Sequence, residues 1–136
     1  MRVVEISDSE NAAAYAGKLF ARWGAEVIKV ETPYRQQVAE ADNLYLNAGK
    51  RHIKINYFDD SQRDLFSSIL SEADIVLTDL SPKILDEYRI FECASNNSVK
   101  VSITPFGLSG PYRDYEATET TILAQGGYTF LSGDIG

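Results

Sequence analysis

Few residues in this chain have the type and spacing to do chemistry. Lys50-Arg51-His52 is the densest basic run. It can hold phosphates with a point charge and a planar fork, and a solvated turn entering a strand explains it equally well. Ser7-Asp8-Ser9-Glu10-Asn11 comes just before an apolar helical series. A helix starting there offers free N–H groups and a positive dipole end to a phosphate or pyrophosphate. The Asp8 and Glu10 side chains themselves are better read as helix-end residues favoured by that dipole. Glu31 closes an apolar run, where a Rossmann protein reads a ribose, and a strand-end carboxylate is the plainer reading. Asp79 follows Ile75-Val76-Leu77. It can accept from a ligand hydroxyl or amine, or merely begin a turn. Gly107-Leu108-Ser109-Gly110-Pro111 can bring backbone N–H groups close to a ligand, and ordinary turn chemistry accounts for it as well.

Several chemistries are excluded. His52 is the one histidine and Cys93 the one cysteine. A Ser-His-Asp arrangement cannot be argued from them, and neither an intramolecular disulfide nor a cysteine or multi-histidine metal site can form. Cys93 reads as a passive buried thiol. Glu116 and Glu119, at i, i+3 spacing, read as a solvated face. The glycine fingerprint G-x-G-x-x-G is absent, against a dinucleotide site. A net charge of −7, from 20 acidic and 13 basic residues, argues against a nucleic-acid partner. An anionic ligand would then need local donors. Val3 to Ile6 is too short for a signal peptide, and no run reaches membrane-spanning length. The expected location is the cytoplasm, with no membrane partner.

The elements that would position these residues alternate. The chain has 136 residues, 44% of them hydrophobic, which suits one compact domain with a core. Arg2 to Ile6 predicts a strand, and Ser7 with Glu10 has capping-box spacing. Ala12, Tyr15, Ala16, Leu19, Phe20 and Trp23 have helical periodicity, ended by Gly24. Val27, Ile28 and Val30 predict a second strand, closed by Pro33. Residues 36–48 predict a helix, and Ile53 with Ile55 a short strand. Asp59 or Asp60 caps a helix with an apolar face of Leu65, Phe66, Ile69, Leu70 and Ala73. Ile75 to Leu77 is a buried strand, followed by short helices near 82–87 and 91–95. Val99, Val101 and Ile103 alternate as a strand, and 118–131 looks helical despite Gly126-Gly127. The expected fold is α/β: Rossmann-like, a mostly parallel sheet with helices on both faces. Its ligand crevice should lie at the C-terminal strand ends.

A run of motifs adds to this reading. Ala14-Tyr15-Ala16-Gly17 is similar to a P-Y-A-G after the first strand. Trp23 to Glu31 with Pro33 is similar to L-G-A-E-V-I-K-V-E-x-P, and Leu46-Asn47-x-x-Lys50-Arg51 to L-N-x-x-K-R. Ala73 to Val76 is similar to A-D-I-V, ahead of E-N-F-x-P-G. Ser102-Ile103, Phe106-Gly107 and Gly110-Pro111-Tyr112 are similar to S-I-x-x-F-G-x-x-G-P-Y. In this order and spacing the chain resembles the N-terminal part of the family III CoA-transferases, which include the formyl-CoA and carnitine CoA-transferases and the related α-methylacyl-CoA racemases.

The resemblance implies transfer of CoA between carboxylic acids, with coenzyme A or acyl-CoA as substrate and no metal. An aspartate attacks the thioester and passes through an aspartyl-CoA intermediate. In the family layout that aspartate lies beyond Gly136; Gly133-Asp134 falls at the turn preceding it and is not assigned. The implied partners are acyl-CoA and a carboxylic acid, with a homodimer or a catalytic partner half, because family members are several times longer and form interlocked dimers. The CoA-contacting loops map to Glu10 and Asn11, Thr32, Ile55, Asn56 and Phe58, Asp79, Leu80 and Ser81, Glu87, Glu116 and Glu119. The departures replace positive or neutral groups. Thr32 stands for an arginine, Phe58 for a lysine, Asp79 for an asparagine, Lys83 for a glycine and Thr118 for a racemase histidine. Glu87 and Glu116 sit where some members are basic. Each opposed contact to a polyphosphate costs on the order of 1 kcal/mol or more, depending on burial. Two further readings follow: a non-catalytic scaffold half of a tandem or heteromeric enzyme, and a racemase-like branch disfavoured by Thr118.

Overall fold

The computed structural model describes residues 1–7, 12–32 and 39–132. The expected Ser7–Glu10 capping box and the start of the 36–48 helix lie partly outside them. Twelve elements alternate through the described residues: β1 (Arg2–Ile6), α1 (Ala12–Arg22), β2 (Glu26–Glu31), α2 (Glu40–Asn47), β3 (Arg51–Lys54), α3 (Asp60–Ser71), β4 (Ile75–Thr78), α4 (Pro82–Glu87), α5 (Ile90–Cys93), β5 (Val99–Ser102), α6 (Glu119–Gln125) and α7 (Tyr128–Leu131). The five strands form one sheet in the order β3-β2-β1-β4-β5, and every pairing is parallel.

Both faces of the sheet are covered, so residues of its central strands are buried on both sides. On one face Val4, Ile6, Val30 and Val76 pack against Phe66 and Leu70 of α3, Leu85 of α4 and Ile90 of α5. On the other, Val3, Val27 and Leu77 pack against Ala13, Ala16 and Phe20 of α1. Gly24 ends α1 as its motif requires. Its φ of 88° is left-handed, a conformation glycine adopts without steric cost.

Three local expectations are corrected. The third strand covers Arg51–Lys54 rather than centring on Ile53 and Ile55. As an edge strand it tolerates polar residues, and its register pairs Glu31 with Lys54. Ile55 lies one residue past it, fully buried, and its N–H donates to Glu31 O at 3.0 Å. Leu65 is 51% exposed, because the core-facing stripe of α3 is the narrower i, i+3, i+4 set of Phe66, Ile69 and Leu70, with Ala73 packed just past the helix end. The 118–131 stretch is two helices. Gly127 is left-handed at φ 77°, and neither α6 nor α7 buries a residue that could override that break.

Asp59, not Asp60, caps α3, accepting from Ser61 N at 2.9 Å. That bond holds the Asp59 carboxyl below its ordinary value. A depressed carboxyl contributes stability above its unfolded pKa and loses it as pH falls through the folded one. Asp59→Ala should therefore lower the melting temperature at pH 7, and the deficit should close as pH drops below about 3.8. Thermal melts at two pH values would check this, and a deficit independent of pH would refute it.

Candidate active-site crevice

Successive strand residues face opposite ways. On β1, Val3, Glu5 and Ser7 therefore share the face under α1. Val3 is core, and Glu5 is a carboxylate at 0% exposure. Gly17 on α1 makes room for it: a Cβ there would lie 1.9 Å from Glu5 Oε2. The charge is met from two sides. Lys50 Nζ reaches Glu5 Oε2 at 2.6 Å and donates to Ala14 O at 2.8 Å. Lys29 Nζ lies 3.6 Å from Glu5 Oε1 and donates to Asn47 Oδ1 at 2.9 Å. Both lysine side chains are fully enclosed. Desolvation raises the Glu5 carboxyl above its ordinary value, with Lys50 and Lys29 pulling the other way. Burial lowers the Lys29 ammonium, opposed by Glu5 and Glu31. The cluster ties α1, β1, β2, the end of α2 and the entry to β3 into one unit.

Just past the end of β1 the face opens at the rim. Ser7 Oγ donates to Asp79 Oδ2 at 2.9 Å, bridging the ends of β1 and β4. This is the point where the strand order reverses, since β1 feeds β2 on one side and is flanked by β4 on the other. Ligands of open parallel sheets bind outside the strand ends at such a point. Two clefts meet here. The first, about 790 Å³, runs between the start of α1 and α6 and is walled by Tyr15, Ile103, Ile122 and Leu123, with Asp79 and Glu119. The second, about 500 Å³, lies over α4. Lys83 and Arg113 face Asp79, Asp114 and Glu116 there. Asp79, Thr104, Pro105 and Ala117 belong to both.

The structure brings together only part of the sequence-derived set. Asp79, Ser81 and Glu116 line the second cleft, and Asp79 and Glu119 the first. Ser81 caps α4, accepting from Ile84 N at 3.4 Å. Thr32 is 9% exposed, while Ile55 and Leu80 are core residues at 0% and 1%. Asn56 turns the chain, its Oδ1 accepting from Phe58 N at 3.2 Å. Phe58 joins an aromatic cluster with Tyr57 and Tyr88 at 4.4 and 4.8 Å between centroids. None of these five lines either cleft. Glu87 ends α4 on the surface, and Thr118 caps α6, accepting from Thr121 N. Glu10, Asn11 and Asp134 lie outside the described residues.

The Lys50-Arg51-His52 patch is not a phosphate cradle. Its members diverge to Glu5, to Glu26 at 2.6 Å and to Glu31 at 3.0 Å. Glu31 is thereby paired within the sheet edge. Cys93 is half-buried against the core. Sequence reasoning missed Lys83, Arg113, Thr104 and Pro105 as cleft residues. Arg113 donates to Pro82 O at 3.3 Å and pairs with Asp86, which fastens the 104–118 arm to α4. The basic character of Lys83 and Arg113 was visible in the sequence, but their convergence needs that arm to fold back.

Fold and site together define a Rossmann-like domain with a crevice at the β1/β4 switch point. The profile of CoA-transferase family III matches residues 1–136, and the chain belongs to that family. It is 32% identical over 150 residues to the succinyl-CoA:(R)-benzylsuccinate CoA-transferase subunit BbsE of Thauera aromatica, covering 97% of this chain and 36% of that protein. It is 27% identical over 148 residues to a formyl-CoA:oxalate CoA-transferase of Streptomyces avermitilis, covering 98% and 36%. The crystal structure of a CAIB/BAIF family protein from Brucella suis superposes with a TM-score of 0.84 at 28% identity, over 98% of this chain and 40% of that one. The chain thus spans about a third of the length of the curated relatives it matches. Among the described residues no helix is long and apolar enough to cross a membrane, and no group of His, Cys, Asp or Glu could hold a metal ion.

Proposed function

We propose that this domain supplies the nucleotide side of a CoA-transferase active site, binding acyl-CoA across the β1/β4 rim. A carboxylic acid is the acceptor, and transfer runs through an aspartyl-CoA intermediate whose aspartate is contributed from elsewhere in a family-length assembly. The observation that carries this is the pair of clefts meeting at Asp79, where the switch point of the parallel sheet opens. Backbone N–H groups of the loops around the rim can stabilise the tetrahedral oxyanions. A homodimer or a catalytic partner half completes the site, and the cytoplasm is its location.

The charge of the rim sets the affinity. Lys83 and Arg113 are outnumbered by Asp79, Asp114 and Glu116 in the second cleft, and Arg113 is already paired with Asp86. CoA should therefore bind the 136-residue chain more weakly than about 1 μM, or about −8 kcal/mol. The chain alone should show no CoA transfer. Isothermal calorimetry and a transfer assay check both, and tighter binding or measurable turnover would reverse the respective reading. The same excess of carboxylates favours a second reading, a scaffold half that leaves CoA to its partner. CoA binding undetectable at millimolar concentration would select it.

A further inference from the structure

The two clefts differ in chemistry, and the difference bears on which part of a thioester each can take. Among the described residues lining the larger one there is no lysine or arginine. Its walls are the apolar side chains of Ile103, Pro105, Ile122 and Leu123 and the ring of Tyr15. Its charges are Asp79 and Glu119, both carboxylates. A phosphate or a free carboxylate entering here meets two carboxylates and, among the described lining residues, no lysine or arginine, while an apolar group meets complementary surface. Asp79 is held in place by the 2.9 Å bond from Ser7 Oγ, so it cannot swing aside without losing that bond.

A second observation points to an uncharged polar group beside the apolar one. Thr104 Oγ1 is buried and has no hydrogen-bond partner among the described residues. Thr104 lies on the wall common to both clefts. A buried hydroxyl without a partner costs free energy, which a ligand carbonyl would recover if the Thr104 side chain turned toward the cleft. A thioester or amide carbonyl is such an acceptor. The volume, about 790 Å³, is within the range of small-molecule sites.

We infer that the larger cleft is an acyl subsite that selects uncharged, apolar acyl groups, aromatic ones included, and discriminates against acyl groups bearing a free carboxylate, with Asp79 and Glu119 as the discriminating residues. This rests on the CoA-thioester reading above and deepens it by naming the acyl class. Nothing in the selection requires the nucleotide, so truncated thioesters test it separately.

The probes are two N-acetylcysteamine thioesters, 3-phenylpropanoyl (uncharged) and succinyl (one carboxylate), titrated into the isotopically labelled chain. The methyl signals of Ile103, Ile122 and Leu123 are followed by NMR. The phenylpropanoyl thioester should shift these methyls and bind about ten-fold more tightly than the succinyl one. In D79N/E119Q that preference should shrink to about three-fold or less. E119Q alone, an exposed position in the first turn of α6, should narrow it part of the way and serves if the double variant does not fold. Equal affinities, tighter succinyl binding, shifts confined to other residues, or no saturation by either probe up to about 10 mM would each overturn the inference. CoA itself is titrated in parallel. Phenylpropanoyl binding without CoA binding would uphold the acyl subsite and sink the nucleotide reading. CoA binding without thioester discrimination would do the reverse.

Discussion

Lys50→Met should destabilise the fold by about 3–5 kcal/mol, the loss typical of leaving a buried charge without its partner. Met keeps the length and apolar stem of the lysine, so lost packing contributes little. What is lost is the ammonium 2.6 Å from Glu5 Oε2 and its bond to Ala14 O. Lys29, at 3.6 Å and committed to Asn47, covers only part of the deficit. The effect also carries a pH signature. Desolvation already holds Glu5 above its ordinary 4.5, and removing Lys50 raises it further. A carboxyl raised in the folded state gives a contribution that is fully present below its unfolded pKa and lost as pH rises through the folded one. The destabilisation of Lys50→Met should therefore be smallest near pH 4.5 and grow toward neutrality. Urea titrations across that window measure it. A loss under about 1 kcal/mol, or one that does not change with pH, would mean that the buried cluster is not held by this charge pair.

The second large effect is expected from the mildest of substitutions. Gly17→Ala adds one methyl to a helix interior, which by propensity alone gains about 1 kcal/mol. Here the new Cβ would sit 1.9 Å from Glu5 Oε2 and 3.2 Å from Lys50 Nζ. A flexible surface side chain would move aside. Glu5 cannot, because it is fully buried and its oxygen is gripped by Lys50. Either α1 lifts off the sheet or the ion pair breaks, so the net change should be a loss of about 1–3 kcal/mol or more. Combining it with Lys50→Met should cost less than the sum, since both act on one contact. Additive losses in that double-mutant cycle would show that the two substitutions act independently. Glu5 lies two residues before Ser7 on the same face, so lifting α1 would also displace the wall of the larger cleft at Ala12 and Tyr15.

The two effects account for motif residues that have no ligand to touch. The glycine of Ala14-Tyr15-Ala16-Gly17, the lysine of Val27-Ile28-Lys29-Val30 and the lysine of Asn47-x-x-Lys50 converge on Glu5. They are spread over 34 positions of sequence and meet because β1 and β2 are adjacent and parallel. The residues with chemical promise at the rim differ in kind. They are loop side chains whose roles depend on which arm folds over which strand end.

The α/β alternation, the parallel sheet, the glycine end of α1 and the crevice at the strand ends could all be argued from residue order, because each follows from local periodicity and chain handedness. The family resemblance was likewise legible in ordered motifs. Tertiary structure alone decided the fate of the charges. Lys50 reads in sequence as a phosphate-holding charge or as part of a solvated turn, and it is enclosed beside Glu5, since burial depends on what packs above it. Ile55, Phe58 and Leu80 stand at ligand-loop positions and are spent on core and aromatic packing. Thr104 and Arg113 meet Lys83 of α4 at the rim only because the 104–118 arm is fastened to α4 through Arg113. Local sequence sets the elements; which side chains share a cleft depends on long-range contacts that no window of residues contains.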